Sequence, residues 1–541
     1  MEGKENQTEE LCSFETQLTT NNKCNEKENV ETNNQSDNQK EHEKKHLNCC
    51  EEVTPPRSML IITDLPVELI VLVFDYIPLC DKYNASMSCH LLYEAFNHPL
   101  LWRTQEFMVT ADHTNFRSKY PNRPVYMPEK SKLLIAKFGK YFQFLTIRVC
   151  GFISDLKEWG PVLLELGKQC NLQKLVLQVG KMTTALDQRG KPPPEQDLMV
   201  LLSFIENASR MKSLDIKSWP LFPQTILNDN QNIFKALMKN QKLKYLERLD
   251  LFWPYKSQMW SERMPVLPDS NVVLELIQHL SNLKELGLRS AMLSNALINE
   301  LASSQRIQKL NLLKIFVTYA KQKAEFQIPD LNSSSWKQLT DANPAVHVEC
   351  YVMSRVPHCE LSNMLTLDCP LSKIVFLQWA QIDSPLIESL SSKYNKTLKA
   401  FVAYCDVKDI DEVLIKMVEE CQLLDEIFIK STSWYEIHYK TILMLASLRG
   451  SGWKTFRFDE KNISFLDKPK NIDEDTVIAQ NHKGEYVMVG MQNYNAEPQG
   501  NERKEKQMDL KQKLAKILGP KFVSRMKAII IYRDELLGIQ C

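Results

Sequence analysis

Glycine is scarce in this 541-residue chain, with only 15. None of it builds the glycine-rich turn or the phosphate-loop lysine motif with which nucleotide-binding α/β folds cradle phosphates. No stretch stays apolar for the roughly 18 residues that a membrane-spanning helix requires, and Met1 to Glu10 lacks the apolar core of a secretory signal. Net charge is missing as well. The 67 Lys and Arg balance 67 Asp and Glu, which removes any global electrostatic reason to expect nucleic acid or an anionic membrane as partner. The 14 cysteines are scattered without disulfide-scaffold spacing, the pattern of free thiols in a reducing compartment. Cys350, His358, Cys359 and Cys369 lie close in sequence but contain no Cys-x-x-Cys pair, so packing outweighs zinc. Gly-x-Ser-x-Gly elbows, His-Glu-x-x-His helices and kinase signatures are also absent. What remains is a soluble protein of cytoplasm or nucleus, expected to need no cofactor or metal, to bind neither nucleic acid nor membrane, and to act by holding something.

What is present falls into blocks. Residues 1–57 are dominated by Asn, Gln, Glu, Lys and Thr, too polar to offset the entropy of ordering, and read as a disordered tail that Pro55-Pro56 closes. Residues 58–110 form a small helical module, and 111–138 a linker. In the module, Asp64 and Pro66 look like a helix start. Leu69, Leu72, Val73 and Tyr76 then mark one side of the helix at 3–4 spacing, while Ile70, Phe74 and Ile77 mark another. A module this small cannot cover both sides. One of them must be buried inside a larger domain or against another protein.

Residues 139–480 repeat a unit: a short run shaped like Leu-x-x-Leu-x-Leu, then an amphipathic helix. Runs start at Leu172, Leu246, Leu283 and Ile307, with degenerate copies from Leu371, Leu398, Leu423 and Trp453. Helices are expected at Asp197 to Ala208, Val272 to Leu280, Pro385 to Tyr394, Ile410 to Cys421 and His438 to Arg449. A strand with alternate leucines followed by a helix is the leucine-rich-repeat unit, about 20 to 29 residues long, and stacked units make an α/β solenoid. A generic parallel α/β domain is the alternative. The gap from Ile307 to Leu371 must hold an insertion or a further repeat. Residues 481–541 close the chain, with an amphipathic helix carrying Leu510, Leu514, Ile517 and Leu518 on one face and a last strand at Met526 to Tyr532. Trp253, Trp260, Trp379 and Trp434 are candidate contacts for a bound protein, with core packing as the competing reading.

Leu65-Pro66-Val67-Glu68-Leu69, then Phe74, Tyr76-Ile77-Pro78-Leu79, Asp81, Ser88-Cys89, Tyr93 and Pro99-Leu100-Leu101-Trp102-Arg103 follow one another as in an F-box, which this segment closely resembles. His90-Leu91-Leu92 departs from the pattern, where a basic residue often follows the cysteine. The resemblance implies docking on the Skp adaptor, and through it on a cullin–RING scaffold. It makes Leu65, Pro66, Leu69, Phe74 and Leu79 the candidate adaptor contacts, with an unidentified protein substrate on the repeats. The non-catalytic substrate-recognition subunit of a ubiquitin ligase is the reading it implies, and an adaptor-bound scaffold that presents no substrate is the alternative. In the second half, Leu448-Arg449-Gly450-Ser451, Asp459 to Phe465, and Trp336 to Leu339 followed by Asn343 to Val348 resemble the group of F-box only protein thirty-three and its relatives with divergent repeats. The cryptochrome-binding F-box proteins share something of this layout. Their substrate is not carried over, because this sequence finishes in Gly538-Ile539-Gln540-Cys541 and not in an aromatic plug.

Overall fold

A computed structural model describes residues 65–77, 79–109, 128–149, 155–179, 202–218, 233–251, 270–319, 328–377, 380–407, 409–430, 437–458, 463–465, 478–480, 486–488 and 501–519. The chain divides into two compact units. One holds residues up to Met108 with Asp112–Phe144 and Gln169–Asn171, the other holds Val109–Ala111, Leu145–Lys168 and the chain from Leu172 onward.

The first unit opens with helix α1, Val67–Asp75. Pro66 sits at its start in an extended conformation, and its carbonyl accepts from the amides of Leu69 and Ile70 at 3.0 and 3.3 Å. Asp64, expected to cap this helix, lies outside the described residues. Helices α2 (Leu79–Ser86) and α3 (His90–Asn97) follow, then a 3-10 turn at Pro99–Trp102 and strand β1, Thr104–Val109. The centre of the unit is aromatic. Phe96 meets Trp102 edge-on at 5.2 Å, and the Trp102 indole donates to the Phe96 carbonyl at 2.7 Å, satisfying its one polar atom where it is buried. The expected linker needs correction here, because Pro128–Phe138 is helical (α4) and its last ring stacks on Trp102 at 4.0 Å. Leu134, Ile135 and Phe138 are all buried. Its large apolar residues are Leu133, Leu134, Ile135 and Phe138, three of them consecutive, so they do not show a helical spacing in sequence.

In the second unit, strands β2 (Phe144–Val149), β3 (Lys174–Val179), β4 (Ser213–Ser218), β5 (Arg248–Leu251), β6 (Glu285–Arg289), β7 (Leu312–Val317), β8 (His347–Val352), β9 (Leu371–Phe376), β10 (Ala400–Ala403), β11 (Glu426–Ile429) and β12 (Thr455–Phe458) lie side by side in sequence order. Every pair whose register is given from β3 to β12 is parallel. Parallel neighbours need a crossover. It is supplied by α5 (Asp155–Gln169), α6 (Ile233–Lys239), α7 (Ser270–His279), α8 (Asn295–Leu301), α9 (Ser333–Ala342), α10 (His358–Met364), α11 (Ser384–Tyr394), α12 (Asp411–Glu420) and α13 (Tyr439–Arg449). The result is a solenoid-like α/β repeat, and the expected helices from 270 to 449 fall within two residues of those observed.

Strand residues alternate between two faces. Leu249, Leu251, Leu286, Leu288, Leu313, Ile315, Val348, Cys350, Ile374 and Phe376 face inward to the core and are fully buried. Cys369 joins them, and burial pushes the Cys350 and Cys369 thiols up, so these cysteines act as small apolar groups. Cys359 is exposed, and the His358 ring nitrogen contacts the Ser362 hydroxyl at 3.2 Å. Two sequence readings shift. The run from Ile307 is out of register by three residues: the strand starts at Leu312, Leu310 takes the first leucine place, and Ile307 stays 65% exposed. The gap before Leu371 contains a complete repeat, β8 with α9, which Val348, Cys350 and Val352 mark without a leucine.

Helix ends are closed across repeats. The last carbonyls of a helix have no partner in their own ladder, and here a side chain from farther along the chain supplies one. Asn240 donates to Ile205 and Ala208, Arg306 to Ile277 and Leu280, Asn343 to Leu301, Tyr394 to Leu365 and Thr366, and Arg449 to Val418 and Cys421. At the far end α14, Asn501–Leu518, packs on α13 and buries Leu510, Leu514 and Leu518, with Ile517 half-buried. The expected last strand at Met526 to Tyr532 lies outside the described residues.

Candidate functional site

Helix α1 has two apolar faces with opposite fates. Ile70, Val71 and Phe74 turn inward and are buried, Phe74 to 1% exposure. Leu69, Leu72, Val73 and Tyr76, at steps of three, one and three residues, form one stripe and remain 46, 59, 44 and 91% exposed. Half-buried Leu65 and exposed Pro66 continue that stripe upstream of the helix. Of the fifteen large apolar side chains exposed among the described residues, seven lie between Leu69 and Leu100, the other three being Met87, Tyr93 and Leu100. Such density in a module this small exceeds the scatter of single apolar residues normal on a surface and marks a docking face. Its charged neighbours on α1, Glu68 and Asp75, are both acidic and exposed. Burial lowers the pKa of the nearby Lys82 ammonium, with Asp75 opposing.

The five residues expected to touch an adaptor are thus divided. Leu65, Pro66 and Leu69 lie on or beside the stripe. Phe74 is corrected: it points into the module and holds the helix in place, because its position falls opposite the 69–72–73–76 stripe. Leu79 opens α2, and its side chain lies outside the described residues. Leu72, Val73 and Tyr76 were absent from that list although their spacing was legible, since a motif position does not say which way a side chain points.

The face of the repeat sheet opposite the helices offers a second arrangement. Across it runs a charged row, with Asp215, Asp250, Gly287, Lys314 and Glu349 at matching positions on β4 to β8 and Lys373 continuing it on β9. Arg248 holds Asp250 through two nitrogens at 2.8 and 3.0 Å, and Lys314 approaches the same oxygen at 3.5 Å. Gly287 makes this possible, since a Cβ there would collide with the Asp250 carboxylate. Burial, and then the neighbouring Asp250 charge, push the Asp215 carboxyl up to about 6. Two residues along the strands the row turns apolar. Tyr351, Val375, Val402 and Phe428 are in register on β8 to β11, and Arg457 on β12 lies over the Phe428 ring at 5.0 Å. Trp253, Trp260, Trp379 and Trp434 lie outside the described residues. Among those residues, no helix is long and apolar enough to cross a membrane.

Residues 62–107 match the F-box-like domain family, which covers the exposed stripe and the Trp102 anchor. Beyond that segment, the chain is 23% identical over 383 residues to F-box/LRR-repeat protein 21 of Ovis aries, covering 70% of this chain and 79% of that one. The chain thus carries an F-box-like segment followed by a solenoid-like α/β repeat, and is similar over much of its length to an F-box/LRR-repeat protein. The protein of the same name from Mus musculus is 21% identical over 381 residues (69% of this chain, 79% of that one), and that from Bos taurus 22% over 363 residues (67% and 75%). These alignments are too long for the F-box alone and must extend into the repeats. The narrower likeness to F-box only protein thirty-three remains a reading of short sequence elements.

Proposed function

We propose that this protein is the substrate-recognition subunit of a Skp–cullin–F-box ubiquitin ligase, with the α1 stripe docking on the Skp adaptor and the repeats binding a protein target. The observation that carries the reading is the stripe itself: four apolar side chains at helical spacing, left in water by a module whose own core is complete without them. Removing a Leu-sized side chain from water contributes about 1.5–3 kcal/mol, so an adaptor covering this stripe gains most of its affinity there. The chain supplies no acid, base or nucleophile. Its contribution is approximation, since a target held on the repeats and a conjugating enzyme brought by the cullin–RING scaffold meet at raised effective concentration.

Co-purification with the Skp adaptor tests the docking half. The Leu65→Ala/Pro66→Ala and Leu72→Asp/Val73→Asp pairs each weaken capture, and undiminished capture by the second pair sinks the reading. Depletion tests the target half: proteins bound to the repeats gain half-life and lose ubiquitin when this chain is removed. Unchanged half-lives leave an adaptor-bound scaffold instead.

A further inference from the structure

The repeat strands are parallel, so the turns that lead from helix to strand lie along one edge of the sheet. Helix C-termini meet there with the negative ends of their dipoles, and cations are expected beside each of them. The charges do not follow that rule evenly. From the last two residues of each helix to the first of the next strand, the turns into β4 to β7 (206–213, 238–248, 278–285 and 300–312) hold nine Lys and Arg against four Glu. The five turns into β8 to β12, bounded in the same way, hold five cations against six acids. Each helix brings the same dipole to both halves of the edge, so the dipole does not account for the excess in the first half.

Hydrogen bonds hold these four turns against one another. The Lys212 carbonyl accepts from the amides of Glu247 and Arg248 at 2.8 and 3.0 Å, the Glu247 carbonyl from Lys284 at 2.7 Å, and the Lys284 carbonyl from Asn311 at 2.8 Å. Farther out, the Asn282 side chain donates to the Lys244 carbonyl at 2.7 Å, and the Ser281 carbonyl accepts from the Ile307 amide at 3.2 Å. Lys244 and Ile307 therefore flank the Ser281–Asn282 turn, two strand spacings or about 10 Å apart. Most of the cations are engaged. Arg306 is buried in closing α7, Arg248 pairs with Asp250 and Glu285, Lys239 with Glu206, and Lys212 and Lys284 share Glu247. Lys242, Lys244 and Lys309 are left exposed, with no acidic partner among the described residues. Beside them Tyr245 and Ile307 stand 62 and 65% exposed, and the Lys244 ammonium lies over the Tyr245 ring at 5.2 Å.

We propose that this edge of β4 to β7 docks an acidic segment of a partner protein, an extended peptide whose carboxylates pair with Lys242, Lys244 and Lys309 and whose apolar side chain lies against Tyr245 and Ile307. The charges choose the occupant. Unmatched ammonium groups call for anions, and an extended chain rising about 3.3 Å per residue spans the distance from Lys244 to the Ile307 turn in three residues, which leaves room for an apolar residue between two acids. A nucleic acid carries a charge at every phosphate and would meet Glu247 in the same row, with nothing to set against Tyr245 and Ile307 along its backbone. A peptide can place a neutral residue opposite Glu247. The docking does not rest on the adaptor reading.

Fluorescence anisotropy with the full chain tests it. The probes are labelled peptides of about ten residues in which two glutamate pairs are separated by one, two or three residues that include a leucine, their glutamine counterparts, and an oligothymidylate of the same net charge. At least one glutamate peptide is expected to bind, about tenfold more weakly as salt rises from roughly 0.05 to 0.5 M, and no glutamine peptide is. Lys242→Glu/Lys244→Glu/Lys309→Glu weakens that peptide about tenfold or more. Tyr245→Ser/Ile307→Ser weakens it about threefold to tenfold and keeps the salt dependence. Lys396→Glu/Lys399→Glu, which reverses exposed lysines in the other half of the edge, leaves it within about twofold. Lys242→Gln/Lys244→Gln/Lys309→Gln takes the place of the reversed triple if that variant melts early. Failure of every glutamate peptide to bind, equal weakening by Lys396→Glu/Lys399→Glu, or tighter binding of the oligothymidylate overturns the proposal.

Discussion

The two units treat apolar surface in opposite ways. The repeats are long, yet between Leu172 and Leu518 only seven large apolar side chains remain exposed among the described residues, and they are spread from Tyr245 to Met508. The helical module leaves the same number exposed within thirty-odd residues, four of them on one helix stripe. A repeat covers its apolar face with the next repeat. Among the described residues of the module nothing covers α1's outer stripe, and the complete aromatic core beneath it argues that the stripe is an interface.

The contrast can be broken most sharply from inside. Phe74→Ala empties a buried site under α1 and is expected to cost the module about 3–5 kcal/mol, lowering its melting transition and adaptor capture together. Next, Leu72→Asp/Val73→Asp should cost about 2–4 kcal/mol of adaptor affinity, as interface anchors do, while thermal unfolding stays within about 0.5 kcal/mol of the parent. If the melt falls as well, these residues belong to the core and the contrast collapses. Asn343→Ala leaves the Leu301 carbonyl and the Leu310 amide without their partner, while the Leu339 carbonyl keeps the backbone amide of residue 343, for an expected loss of about 1–3 kcal/mol in denaturant unfolding.

A smaller effect is tied to pH. The Asp215 carboxyl holds its proton more tightly in the fold than the ordinary value of 3.8, titrating at about 6. The folded state therefore binds more protons than the unfolded one between these values, and stability falls as pH rises through that window. Asp215→Asn should gain about 1–2 kcal/mol at neutral pH, with the gain gone below the ordinary carboxylate pKa. A gain that is constant with pH would point to packing and not to charge. The least effect is expected at Ile307→Ser, within about 0.5 kcal/mol, since that side chain stands in water.

Periodicity carried most of what sequence could give. The 3–4 spacing on α1 marked both of its faces, and alternation with leucine marked most strands. Direction was not legible: nothing in Leu69 or Phe74 says which face meets the module's own core, and a motif list mixed the two. Register slipped at Ile307 because Leu310, three residues on, fits the same pattern equally well. The β8 repeat was concealed because valine and cysteine fill the places of leucine. The residues that close helix ends were invisible, since Asn240, Arg306, Asn343, Tyr394 and Arg449 share no single residue type and act on carbonyls 26 to 42 residues earlier.

The five helix closures made by Asn240, Arg306, Asn343, Tyr394 and Arg449 run one way along the chain. Each of these donors belongs to material that follows the helix it completes, while the Trp336 indole runs the other way and donates to the Met364 carbonyl at the end of α10 at 3.0 Å. The array has a polarity that stacking alone does not impose. Shortening it from the C-terminal side strips these five donors from what is left, one helix at a time, whereas shortening it from the other side takes the Trp336 donor from α10. Arg449, the final donor of the series, stands on the helix against which α14 is packed, and the anchoring of that one terminal helix is therefore felt first at the end from which the whole array would come undone.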